Sequence, residues 1–259
     1  MSAHSVRAFI GLALVVVMLG QVSGHLRIPL MGRLDALFYD ARLRLTAQGT
    51  IDPRVVIVDI DEKSLVERER GGEGRWPWPR DRMAVLLDKL FDHYHAAVVG
   101  FDVVFSERYE SSGIRVLERL GERELNGVRE FHSALRELKP QLDYDEIFGR
   151  SLAGRPVVLG YLFVNEHMEK GELPSPVLRA ADLGNRSEFP RFSGYTANIP
   201  PLQRAAALQG HFNPLPDSDG ITRRVPALVQ YGANYYEPLW LAVVRLIYGA
   251  PAVKPLYSE

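Results

Sequence analysis

Residues Ala8 to Gly24 carry no charge, and the heart of that run, FIGLALVVVMLG, is aliphatic on every face of a helix. A helix lying on a globular core shows a polar stripe, so the run is a poor fit to one. Seventeen residues at 1.5 Å each span about 25 Å, near the lower limit for crossing a hydrocarbon layer. A cleaved signal peptide has a shorter apolar stretch and a small-x-small site, of which Val22-Ser23-Gly24 is a poor version. The length therefore favours an uncleaved transmembrane helix over 8–24. In both readings the remainder is exported. Arg7 on the short N-terminal side favours an inside N-terminus. Arg27, Arg33, Arg42 and Arg44 pull weakly the other way, but long exported domains cross largely regardless of charge.

The exported part has the means to fold. Its 259-residue parent chain is 46% hydrophobic, and 31 basic side chains balance 32 acidic ones. A net charge near zero offers no long-range pull on nucleic acid, and none is expected as a partner. The absence of cysteine excludes disulfides, a thiol nucleophile and a thiolate zinc site.

Residues 25–48 contain an amphipathic connecting helix. Leu30, Leu34, Leu37, Phe38, Ala41 and Leu45 recur at spacings of three and four, with Arg33, Asp40, Arg42 and Arg44 on the other face. From 49 to 250 strand and helix patterns alternate. Val55-Val-Ile-Val-Asp-Ile-Asp61 is a continuous β-branched run, expected as a strand buried on both faces. Arg80 to Tyr94 has helical spacing, and Ala96 to Phe105 is a second apolar strand, completing a βαβ unit. Residues 107–142 alternate in charge and form a helical insertion. A short helix over 144–154 precedes a third strand, 156–164, and residues 166–193 form a long loop. A short helix over 199–208 follows. Gln209–Asn213 and Val225–Gly232 flank a turn and are expected to pair antiparallel. Pro238 to Gly249 is a helix with proline at its first turn and glycine at its end. The expected fold class is a layered α/β domain with a mainly parallel, mixed sheet, preceded by the transmembrane helix. Residues 251–259 form a tail.

Candidate binding residues cluster at the expected ends of strands, where open α/β sheets hold their ligands. Asp59, Asp61 and Glu62 close the first run, and Asp102 lies in the second. Converging carboxylates bind a divalent cation or a cationic ligand; alternatively they cap a helix or pair with an arginine such as Arg80. Asp217-Ser-Asp219-Gly220 precedes Arg223. It matches neither the nucleophile loop of a haloacid-dehalogenase-type phosphatase nor a calcium loop, and reads plainly as a turn. Trp76-Pro-Trp78-Pro-Arg80 places two indoles on a stiff extended segment, where they cover a pocket or anchor a loop. No nucleophile elbow, dinucleotide fingerprint or phosphate loop occurs, so no catalytic residue and no cofactor is assigned, and the metal question stays open.

Six blocks in one order resemble the CHASE2 domain: Tyr39-Asp40-x-Arg42, Asp59-Ile-Asp61-Glu62-x-Ser64-Leu65, Trp76-Pro-Trp-Pro-Arg80, Gly100-Phe-Asp-Val-Val-Phe105, Gly210-x-Phe-Asn213 and Pro216-Asp-x-Asp-Gly220-x-x-Arg223. The likeness runs from about Leu34 to Gly249, with 107–142 longer than the family usually has. It implies an extracytoplasmic sensory module of a bacterial receptor in the inner membrane. The module binds an unidentified ligand on the periplasmic side and controls a cyclase or kinase output absent from these residues. Downstream membrane helices and a homodimer are expected by the same analogy. Two other readings stand beside it: a metal-dependent phosphohydrolase using the paired aspartates, and an envelope assembly protein acting through the charged helices.

Overall fold

The computed structural model describes residues 3–23, 25–26, 28–47, 49, 51–66, 72–110, 113–183 and 189–255. Gly24, Arg27, Gln48, residues 111–112 and residues 256–259 belong to the expected membrane segment, connecting helix, insertion and tail, and lie outside the described residues. The chain divides into two compact units, Met1–Asp59 and Ile60–Glu259.

The first unit is helical. α1 (Ala3–Val22) covers most of the expected membrane segment, and α2 (Pro29–Thr46) is the expected connecting helix, opened by Pro29 in its first turn. Among the described residues no helix is long and apolar enough to cross a membrane. The structure thus supports the helix expected here and not, by itself, a membrane span.

The β-branched run 55–61, expected as a buried strand, is not one. Val55, Val56, Ile57 and Val58 are 55–88% exposed, and no strand pairs with them among the described residues. β-branched residues fit a pleated, half-buried surface, but that preference supplies no ladder without a partner. The expected βαβ unit built on this run is accordingly absent.

In the second unit the parallel crossovers use other strands. α3 (Arg80–Asp88) runs into one π-turn, Lys89–His93. β1 (Val99–Phe101) is shorter than expected. The insertion forms two helices, α4 (Ile114–Glu122) and α5 (Arg129–Leu142), joined by an ion pair between Lys139 and Glu118. α6 (Tyr144–Leu152) starts at Asp143, whose carboxylate accepts the Glu146 N–H. β2 (Val157–Val164) pairs parallel to β1, with Val99 opposite Val157. β3 (Glu169–Lys170), β4 (Leu178–Arg179), α7 (Ala180–Leu183) and β5 (Arg191–Phe192) are short pieces inside the expected loop. β6 (Gly194–Thr196) pairs antiparallel to the end of β2 and parallel to β3. α8 (Pro200–Ala205) leads to β7 (Leu208–His211), parallel to β2. β8 (Val229–Tyr231) and β9 (Asn234–Tyr236) form a hairpin, and α9 (Leu239–Ile247) follows. The expected pairing of 209–213 with 225–232 is therefore corrected. Gly232, at φ 58°, turns the chain back at once, so 229–231 pairs with its immediate neighbour. The sheets are mixed in direction, as expected, and a second sheet runs β4-β9-β8-β5.

Alternation along β2 sets the layers. Val157 and Leu159 face the helical layer of Met83, Leu87, Phe148, Leu152 and Leu202, supplied by α3, α6 and α8. Phe101, Phe105 and Phe148 meet edge-on there, at 5.2–5.9 Å between centroids. Further along the same strand face, Tyr161 and Phe163 pack against Val229 and Tyr236. α9 lies on the opposite face, where Gly100 and Gly210 make room for it. A Cβ on Gly210 would fall 2.5 Å from the Leu239 Cα.

Candidate functional site

The stiff Trp-Pro-Trp-Pro segment ends at Pro79, the N-cap of α3, so Arg80 is the first helical residue. Trp78 is buried and its indole N–H donates to the Gly74 carbonyl at 2.9 Å; Trp76, 6.1 Å away between ring centroids, is 39% exposed. The pair thus anchors the loop and sets the entry of α3. Arg80 in turn is buried, with its guanidinium carbon 4.4 Å from the centroid of Phe105. Its Nε lies 3.6 Å from Asp145 Oδ1, and its Nη2 donates weakly to the Glu107 carbonyl at 3.5 Å.

Asp145 is held from the other side. It sits in the first turn of α6, where its Oδ2 accepts the Tyr109 N–H at 2.9 Å. Tyr109 stacks on Tyr144, and Glu107 pairs with Lys170. Burial pushes Asp145 up, with the Tyr109 N–H and Arg80 pulling back; burial likewise pulls Arg80 down against the attraction of Asp145. Arg80 Nε, Asp145 Oδ1 and the neighbouring Asp81 Oδ1 are buried without a hydrogen-bond partner. Unmet hydrogen-bonding capacity at the carboxyl side of β1 is what a ligand with both donors and acceptors would satisfy.

The other sequence-identified residues lie as follows. Asp59 is exposed and belongs to the first unit. Asp61 and Glu62 are exposed. The Asp61 carboxylate accepts the Ser64 N–H at 2.9 Å and the Ser64 hydroxyl at 2.8 Å, and these bonds hold it below the usual carboxylate range. Asp102 is exposed just beyond β1. Asp217, Asp219 and Arg223 do come together: Arg223 donates to Asp217 at 2.9 Å and to Asp219 at 2.7 Å. The Ile221 N–H also caps Asp219, and with Arg223 it draws that carboxyl down to about 2. Gly220 turns the loop at φ 80°. The ion pairs close the turn, but it is not the hairpin turn expected here, because the strands flanking it pair elsewhere. Among the described residues, no group of three or more His, Asp or Glu side chains is placed to hold a metal ion.

Sequence reasoning missed Asp145, which carried no motif of its own, and the buried polar residues Asn198, His211 and Glu237 as working groups. Asn198 Oδ1 accepts the Phe105 N–H at 2.8 Å while its Nδ2 donates to the Gly160 carbonyl at 3.0 Å, tying the loop after β1 to β2.

Helices on both faces of a mixed sheet, with the buried Arg80–Asp145 pair at the starts of α3 and α6, define a layered α/β module. The CHASE2 domain family model matches residues 11–255, nearly the whole chain, and the chain belongs to that family of extracytoplasmic sensory domains of receptors. No curated protein and no solved structure matches it.

Proposed function

We propose that the chain is the membrane-anchored sensor of a bacterial receptor, recognising a small polar ligand at the Arg80–Asp145 cluster and governing a cytoplasmic cyclase or kinase. The observation that carries the reading is the buried Arg80–Asp145 pair, whose facing polar atoms lack hydrogen bonds. A ligand that supplies them favours one packing of α3 against α6, and it shifts the equilibrium only by its differential affinity for the two packings. Carboxylates and amino acids have the matching groups.

The test is thermal unfolding of the detergent-solubilised chain against amino acids, dicarboxylates and inorganic phosphate. At least one compound should raise the melting temperature of the wild type and leave Arg80→Lys unmoved, because lysine keeps the charge and loses the fork. No response in the panel, or an equal response in the variant, counts against this site.

Anchoring by α1 and an inner-membrane location with the second unit outside belong to the same proposal. Phe9, Leu12, Val16 and Leu19 are all more than half exposed on α1, and a bilayer thinned or adjusted around a short apolar helix would cover them. The chain is cysteine-free, so Ser218→Cys on its exposed turn is a unique label. A membrane-impermeant maleimide should modify it in intact spheroplasts; labelling only after lysis places the module inside and ends the proposal. Homodimerisation is proposed on family grounds alone, and sedimentation of the solubilised chain measures it.

A further inference from the structure

Residues 250–255, after α9, have no regular secondary structure, yet their path is held: Arg245 grips their start, and Val253 packs against the Leu178, Leu183, Leu228 and Tyr235 cluster. Gly249 and Ala250 both take positive φ, 77° and 55°, which reverses the chain. Arg245, in the last turn of α9, then holds the reversed segment twice. Its carbonyl accepts the Ala250 N–H at 2.7 Å, and its Nε donates to the Pro251 carbonyl at 2.8 Å. The remaining arm of the same guanidinium donates through Nη1 to Glu237 Oε1.

Glu237 is 3% exposed and sits between β9 and α9. Its main-chain carbonyl accepts the His211 N–H at 3.0 Å, so it is also bonded to β7, the strand beside β2. Its second carboxylate oxygen is buried without a hydrogen-bond partner. Burial pushes the carboxyl up, and the Arg245 hydrogen bond opposes it. A planar guanidinium reaches two acceptors at fixed geometry; a lysine ammonium on a flexible stem does not.

We propose that Glu237 and Arg245 form a latch that sets the path of residues 250–255, so that loosening this buried pair frees the segment while the sheet stays folded. The latch joins the sheet to the segment after α9 through one continuous set of bonds, from β7 to Glu237 to Arg245 to Pro251.

Hydrogen exchange on the solubilised full chain tests it. In Arg245→Lys, which keeps the charge opposite Glu237, the Ala250 amide, bonded to the Arg245 carbonyl, should exchange about 10-fold faster or more, while β2 and β7 amides keep their wild-type protection. Glu237→Gln, which keeps the shape and removes the charge, should accelerate the same amide. Unchanged exchange at Ala250 in both variants overturns the latch. So does acceleration that appears equally in β2 and β7, because the pair would then serve only global stability.

Discussion

Asn213 binds both main-chain groups of Phe163: the Phe163 N–H donates to Oδ1 at 2.8 Å, and Nδ2 donates to the Phe163 carbonyl at 2.7 Å. One side-chain amide thereby extends the β2–β7 ladder past the end of β7 at His211. Both groups are buried, so losing the amide leaves a donor and an acceptor of Phe163 unmet, at about 1–3 kcal/mol each. Asn213→Ala should lower the unfolding free energy by about 2–4 kcal/mol in a urea titration. Asn213→Asp keeps the acceptor but faces the Phe163 carbonyl with a second oxygen, so it should cost at least as much at neutral pH. A loss under about 1 kcal/mol in both would show the clasp to be dispensable.

Gly210 and Gly100 both face α9, and the geometry ranks them. A Cβ at Gly210 would meet the backbone of Leu239 at 2.5 Å, whereas one at Gly100 would meet side-chain atoms, the Val243 Cγ2 at 3.0 Å and the Leu239 Cδ1 at 4.0 Å. A side chain can yield and a helix backbone cannot without moving the helix. Gly210→Ala should therefore destabilise by about 3 kcal/mol and lower the protection of α9 amides. Gly100→Ala should cost about 1 kcal/mol. The reverse order would mean that α9 does not seat on β7 as described.

These residues also show what could be read beforehand. Gly210 and Asn213 stand in a block singled out by its likeness to the family, and their physical roles account for it: close helix approach and a mimic of strand pairing. α3, α6, β2 and α9 were legible because their apolar spacing and end signals agree with the packing they find. Val55 to Val58 misled because β-branched content reports a preference for strands and is blind to whether a ladder exists. The β8–β9 hairpin was missed for a related reason: each strand has three residues, too few for a period-2 signal. Of the candidate site, Arg80 was legible from the stiff segment before it. Asp145 was not, since its importance lies in a contact across 65 positions of sequence.

The Arg80–Asp145 pair makes an asymmetric prediction. Both side chains are nine-tenths buried or more, so removing one partner leaves the other as an uncompensated charge. Asp145→Ala should cost about 3–5 kcal/mol, because it strands Arg80 and also the Tyr109 N–H. Asp145→Asn keeps an acceptor for Tyr109 and should cost less. Guanidinium titrations of the two variants measure the difference. Equal losses would mean that the hydrogen bond from Tyr109, as distinct from the charge of Asp145, does nothing for the fold.

His211 supplies the pH dependence. The residue is 0% exposed, its ring lies edge-on near Tyr161 and Phe163, and its Nε2 is buried without a partner. Burial pulls its pKa from 6.5 down to about 4. The unfolded chain therefore takes up this proton first as pH falls. Its contribution is fully present above pH 6.5 and is lost between about 6.5 and 4, to a total of roughly 3 kcal/mol. Glu237, joined to His211 through the backbone, acts in the opposite sense: burial raises its pKa, so the cost of keeping it charged is relieved as pH falls. The two effects are separated by comparing the wild type with His211→Phe, which retains Glu237. The stability difference between them should shift by roughly 3 kcal/mol against the wild type from pH 7 to pH 4. A pH-independent difference would mean that the imidazole is not held neutral by its surroundings, and the buried placement of β7 beside β2 would have to be redrawn.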